Sequence, residues 1–287
     1  MCCARGIEPR PVDDVVGVGL FALKPFAAGS LIVVEKPVLS VASDADTHAL
    51  ERDMARDGSP FKSLRPEVQA AVMNLRDAHG GAVKTLTGIW ETNGIPYGAD
   101  GQTGGLFLLL SRLNHSCAPN CARAWSETMQ REELVALRDI AAGEELTSAY
   151  FDVLAGRTER RAHAAEAFGF ECNCALCALG DDAEPWRAQA RALDDAVQRA
   201  MDAKEYHAAA RSAEVRIQWL RAHAWNNAGD VARSAFDAYV ASRHVGEMHA
   251  ALRFLNDAIA LSERGGLNDH VDTQMMRRAR DECVRSR

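Results

Sequence analysis

Three cysteines crowd into "ECNCALC" at 171–177, as Cys172, Cys174 and Cys177. Three thiols cannot fill the four tetrahedral positions of a structural zinc, so a fourth ligand must come from a distant part of the chain. That requirement ties two remote segments together and restricts how the chain can fold. Cys117, in the polar stretch "LNHSCAPN" at 113–120, is the natural fourth ligand, and Cys121 is the second choice. An iron–sulfur cluster is the minor alternative, since four-cysteine cluster motifs usually have other spacings. A set of free buried thiols is the plain competing explanation. Cys2, Cys3 and Cys283 are expected to be unliganded.

The metal reading depends on a reducing compartment. The start "MCCARGIEPRP" lacks the apolar core of a secretory signal. No stretch approaches the ~18 apolar residues of a membrane helix. The chain is therefore expected to be intracellular, in nucleus or cytoplasm, where eight cysteines serve as ligands or free thiols rather than disulfides. With 33 basic against 40 acidic residues the net charge is −7. Direct nucleic-acid binding by bulk charge is not expected. An acidic surface suits a basic, lysine-bearing protein partner, although ordinary solubility charge explains the same number.

The 287 residues, 47% of them hydrophobic, allow one large domain or two smaller ones. "GLFAL" and "SLIVVEKPVLSV", within 15–41, read as strands around the turn "KPFAAGS". Helical spacing takes over at 44–86, in "DTHALERDMARDG" and "RPEVQAAVMNLRDAHGG". Strand patterns return at 88–97, 121–126, 132–138 and 145–150, and a helix at 157–168 leads into the cysteines. Beyond the break "LGDDAEPW" the chain turns Ala-rich, with room for four or five amphipathic helices. "EYHAAAR" at 205–211 and "EMHAALR" at 247–253, 42 residues apart, suggest a tetratricopeptide-like array on two weak copies.

Taken singly, the remaining motifs are weak. "GVGLFA" at 17–22 lacks the third Gly and helix start of a dinucleotide fingerprint. "NHSCAPN" could suggest a Cys–His dyad, but catalytic partners usually converge from different segments. The ordered set carries more. It runs "GVGLFA", "TNGIPYG" (92–98), "SRLNHSCAPN" (111–120), "AAGEELTSAYFD" (141–152) and "FGFECNCALC" (168–177). In that order it resembles the SET-domain protein-lysine methyltransferases, nearest to the SET-and-MYND (SMYD) type and related fungal SET proteins. The resemblance spans 15–179. Residues 42–87 hold no cysteine, so the MYND zinc finger that the SMYD branch inserts there is absent.

The resemblance implies an α+β SET fold of small twisted sheets with a pseudoknot. The SET domain would occupy 1–167, with a helical insert at about 42–87. A zinc-binding post-SET segment would follow at 168–180, then an all-α tetratricopeptide-like domain at 181–287. It implies an S-adenosylmethionine site contacted by Gly17, Val18, Gly19, Asn114 and His115, with Asn93 and Ser111 as further contacts and Phe170 packed on the adenine. Tyr150 would stand where cofactor and lysine channel meet, as catalytic residue and cofactor contact, and Phe168 would line the channel. Zinc would sit on Cys117, Cys172, Cys174 and Cys177. The implied reaction is S-adenosylmethionine-dependent methyl transfer to lysine of a histone or non-histone protein, by a monomer. The alternative is a catalytically weak SET scaffold that binds partners through its helical tail.

Overall fold

The computed structural model describes residues 6–13, 17–42, 56–80, 83–98, 101–180, 185–223 and 227–285. Three small sheets and a run of helices make an α+β architecture. The first sheet has the order β1-β2-β10-β7, from β1 (Ile7–Asp13), β2 (Gly17–Ala22), β10 (Glu145–Ser148) and β7 (Asn114–His115). The second is β3-β9-β8, from β3 (Leu31–Glu35), β9 (Arg131–Ala136) and β8 (Cys121–Ser126). The third is β4-β6-β5, from β4 (Leu39–Ala42), β6 (Thr103–Leu106) and β5 (Ile95–Tyr97). Leu20, Phe107, Leu113, Leu134, Ile140 and Leu146 fill the core between them.

β1 was not anticipated; its Pro9 and Pro11 cannot donate to a ladder, and they are tolerated because β1 is an edge strand. "LIVVEKPVLSV" is two strands in different sheets, because Lys36-Pro37 interrupts the run. Residues 88–93, expected as strand, lie in helix α2 (Leu86–Asn93). The start of α2 is fixed from outside its own sequence. Thr85 caps it by accepting from the Gly88 N–H, and the Asp77 carboxylate in turn accepts from the N–H of Thr85. The stretch expected as the helical insert, about 42–87, contains α1 (Pro66–Met73) and the first residues of α2. The helix expected from residue 44 falls mostly outside the described residues.

The knot around the site is built by side chains as well as strands. β7 pairs parallel with β10, Asn114 opposite Thr147 and His115 opposite Ser148. Asn120, 2% exposed, donates through Nδ2 to the Glu145 carbonyl at 2.8 Å and to Glu144 Oε1 at 3.0 Å, and accepts from the Thr147 N–H at 2.8 Å. One amide thus clamps the loop after His115 onto β10. Glu35 does similar work for the turn ahead of β7: its carboxylate accepts from the N–H groups of Leu108, Leu109 and Leu110. These are the donors a 3₁₀ turn (Leu110–Arg112) leaves unpaired.

Helix α3 (Arg157–Phe168) ends on Gly169 in the left-handed region, φ +66°, where a side chain would be strained. The short α4 (Ala175–Ala178) follows. The tail is five helices: α5 (Pro185–Asp202), α6 (Tyr206–Ala222), α7 (Ala228–His244), α8 (Met248–Arg264) and α9 (Val271–Arg285). They share a core, rich in alanine, that includes Ala213, Leu220, Ala235, Leu255 and Ala258 and takes in Leu154 from outside the tail. The two similar heptapeptides begin α6 and α8, and the residues before those helices share φ and ψ within a few degrees: Glu205 at −85°, 61° and Glu247 at −80°, 61°. Several contacts dock the tail, among them an ion pair of Arg191 in α5 with Glu159 in α3 and the two that follow. Arg187 of α5, 3% exposed, donates to the carbonyls of Cys117 and Val153. Asp269, between α8 and α9, accepts from Ser126 Oγ and from both the N–H and hydroxyl of Thr128. No helix among the described residues is long and apolar enough to cross a membrane.

Candidate active site and metal centre

The sulfur atoms of Cys117, Cys172, Cys174 and Cys177 all lie within 4.8 Å of one another. Cys117 Sγ is 3.9 Å from that of Cys172 and 3.6 Å from that of Cys177. A tetrahedron with ~2.3 Å zinc–sulfur bonds has edges of about 3.8 Å, so the four thiols fit the ion that their chemistry suits. Hydrogen bonds from Cys117 and then Cys172 hold the Cys174 thiol far below its ordinary range, while the thiols of Cys117 and Cys172 are pushed up; a bound cation would favour the ligating thiolate at each. A four-thiolate zinc carries a net charge of about −2, and Arg160, 3% exposed, places Nη2 3.9 Å from Cys177 Sγ as a counter-charge. Cys121, the second choice from sequence, lies on β8 outside the cluster; burial pushes its thiol up to about 12.

A cavity of about 990 Å³ opens beside this cluster. It brings together most of the sequence-predicted residues: Gly17, Val18, Asn93, Ser111, Asn114, His115, Tyr150, Phe168, Phe170, Cys172 and Cys174 all line it. Gly19 does not. A Cβ there would stand 2.3 Å from Glu145 Oε1 and 2.8 Å from Asn114 Nδ2, atoms that hydrogen-bond to each other at 2.6 Å. The absence of a side chain at Gly19 lets this pair close across the first sheet. Asn93 and Ser111 have their polar atoms engaged within the protein. Asn93 Nδ2 donates to the Arg76 and Ile89 carbonyls, and Ser111 Oγ donates to the Asn93 carbonyl. Each therefore shapes the wall by holding backbone.

His115 is the hinge of the site. Its Nδ1 accepts from the Tyr150 N–H at 3.2 Å, and Nε2 lies 3.2 Å from Cys117 Sγ. Burial pushes its pKa down to about 4, so at neutral pH the ring is uncharged, with its proton on Nε2 facing the sulfur. Rings gather around it: Phe151 stacks at 4.2 Å, and Tyr150 and Phe170 lie at 5.3 and 6.1 Å. Tyr150 also meets Phe168 at 5.0 Å. Its hydroxyl donates to the Leu113 carbonyl at 2.5 Å, and burial pushes its pKa up to about 12. Tyr150 is consequently a fixed, protonated hydroxyl rather than a base.

A second cavity, about 330 Å³, adjoins the first. Thr92, Asn93, Ser111, Tyr150 and Phe168 line both cavities. Sequence reasoning missed several wall residues. Asn74, Arg76, Asp77 and Lys84 come from the helical insert, and Arg112 and Glu145 lie within the recognised motifs. Glu145 stands in "GEEL" and was legible there; the insert residues carry no local signal.

Residues 17–151 match the SET domain model. The chain is 32% identical over 163 residues to histone-lysine N-methyltransferase set5 of Schizosaccharomyces pombe, covering 57% of this chain and 48% of that one. It is 43% identical over 77 residues to human histone-lysine N-methyltransferase SMYD3, covering 27% and 18% respectively. The chain therefore spans about half or less of these relatives' lengths. The chain thus carries a segment, residues 17–151, that matches the SET domain, and it is similar to SET-domain proteins of the SMYD kind.

Proposed function

We propose that the protein is an S-adenosylmethionine-dependent protein-lysine N-methyltransferase, acting on a histone or non-histone protein inside the cell. The observation that carries this is the pair of cavities meeting at Tyr150 and Phe168. Transfer of a methyl group to an amine needs donor and acceptor in line from opposite sides of one wall, with water excluded. The larger cavity fits the donor. Phe170 offers a ring for the adenine, and Gly17, Val18, Asn114 and His115 offer backbone and polar contact. S-adenosylmethionine supplies the activated methyl. The chain's own residues hold the geometry: Phe168 and Tyr150 form the apolar, aromatic passage, and the Tyr150 hydroxyl, pinned to Leu113, fixes a dipole at the reacting centre. The zinc cluster ties the cofactor wall together through Cys117 and Cys172.

The names of the relatives, histone-lysine methyltransferases, agree with a lysine acceptor. The test is a peptide array of lysine-bearing sequences incubated with protein and labelled S-adenosylmethionine, with cofactor affinity measured by calorimetry. Label on lysine peptides and not on their arginine twins is the expected result. Tight cofactor binding with no acceptor on peptides or purified histones would favour the scaffold alternative.

A further inference from the structure

The smaller cavity contains a charge that a lysine pocket would not be expected to tolerate. Arg123, on β8, lines it together with Tyr150 and Ser148, and Arg123 and Ser148 also line a third cavity of about 300 Å³ toward the helical tail. Among the described residues Arg123 makes no hydrogen bond and no ion pair within 4 Å. Its charge is nonetheless felt at the Tyr150 hydroxyl. Ser148 is 3% exposed, and its Oγ has no hydrogen-bond partner among the described residues. A guanidinium stays ionised at any pH at which an enzyme is assayed. A lysine entering this pocket as an ammonium would meet that fixed cation at short range, in a medium that screens charge poorly.

Resting on the lysine-methyltransferase reading, we infer that Arg123 is a positioning residue for the acceptor: its fixed positive charge admits the lysine side chain as the neutral amine and holds it so beside Tyr150. Only the neutral amine has the lone pair that attacks a methyl group. The ammonium loses its proton to solvent on entry, and the amine that remains can donate to Ser148 Oγ. Other charges bear on this pocket, Glu132 through its interaction with Arg123 and not by lining the cavity. Glu132 of β9 is 3% exposed, with Oε2 unpartnered among the described residues, and burial pushes its carboxyl up to about 7. It offsets Arg123 where it is ionised. Glu91 of α2 lines the smaller cavity and Asp230 of α7 the third one. Arg76 and Glu145 act on Tyr150 from the cofactor side.

The test uses the full chain and the strongest acceptor peptide of the array. The rising limb of kcat against pH reports the bound acceptor amine. In Arg123→Met this limb should move up by about one pH unit, since a unit charge at ~10 Å in a partly screened site has that effect. Arg123→Lys should leave it in place. Glu132→Gln should move it down, an opposite shift that a general loss of packing would not produce. A second readout needs no turnover. Calorimetry of peptide binding at pH 8, in buffers of different ionisation heat, should show about one proton released per lysine peptide. Arg123→Met should release less, and the norleucine peptide none. An acceptor peptide whose pH limb and proton release are the same in wild type and Arg123→Met overturns the inference and leaves the methyltransferase reading intact. A methylation defect in Arg123→Met confined to peptides with an acidic neighbour, with an unmoved limb, also overturns it and assigns Arg123 to carboxylate recognition. An array without any acceptor removes both readings.

Discussion

The Nε2 of His115 lies 3.2 Å from the Sγ of Cys117, while the opposite ring nitrogen takes the N–H of Tyr150. One imidazole therefore connects a thiol of the cysteine cluster to the backbone of Tyr150. The cysteine cluster and the wall of the larger cavity are coupled through these two contacts, and the buried, uncharged ring holds the tautomer that makes both.

This coupling predicts the effect of metal removal. The purified protein should contain about one zinc per chain, on Cys117, Cys172, Cys174 and Cys177. Chelation should weaken binding of S-adenosylhomocysteine by about tenfold or more, and His115→Ala should do the same with the metal retained. Elemental analysis and calorimetry check both; cofactor affinity indifferent to zinc would separate the two sites.

Tyr150→Phe should lower turnover by about 10²-fold, as removal of one fixed dipole at a reacting centre does. Cofactor affinity should change little, because the ring contacts with Phe168 and Phe170 remain. Steady-state kinetics beside calorimetric titration makes the comparison. Equal turnover in the two proteins would move the catalytic role elsewhere.

Gly19→Ala should damage cofactor binding although Gly19 does not line the cavity. The added methyl meets Glu145 Oε1 at 2.3 Å and pushes Glu145 from Asn114, both of which do line it. The calorimetric affinity should fall while far-ultraviolet dichroism stays that of the wild type.

Asn120→Ala should destabilise the fold by about 3 kcal/mol, because it leaves the Thr147 N–H and the Glu145 carbonyl without their buried partner. Urea unfolding measures this. The loss should exceed that of Asn114→Ala, which breaks a single side-chain pair at the cavity edge.

Phe168→Tyr should shift products toward lower methylation states. Phe168 lies 5.0 Å from Tyr150 on the wall shared by the two cavities, and a hydroxyl there occupies space that a growing methylamine needs. The wild type should reach di- or trimethyl-lysine. Mass spectrometry of the product peptide decides this, and strict monomethylation by both proteins would remove Phe168 from the channel.

The sequence by itself determined the chemistry-bearing set. The three clustered cysteines demanded a fourth from far away, and "NHSC" contained it. The aromatic pair Phe168 and Phe170 stood two residues apart around a helix-ending glycine, and the Ala-rich periodicity after residue 185 marked the helical tail. Such features are legible because ligand spacing, caps and amphipathic period are local properties of a chain. Tertiary structure decided the rest. Whether "GIWETN" is helix or strand depended on a carboxylate at Asp77, outside the segment, that anchors its cap. β1 formed only because β2 offered it an edge. Gly19 leaves the room in which Glu145 and Asn114 meet. Arg123, one residue of a strand with no motif around it, came to line the proposed acceptor pocket through packing of β8, α2 and β10 around Tyr150. Contacts of this kind join residues tens of positions apart. No local spacing encodes them, because their free energy appears only when the knot closes and water leaves the space between the strands.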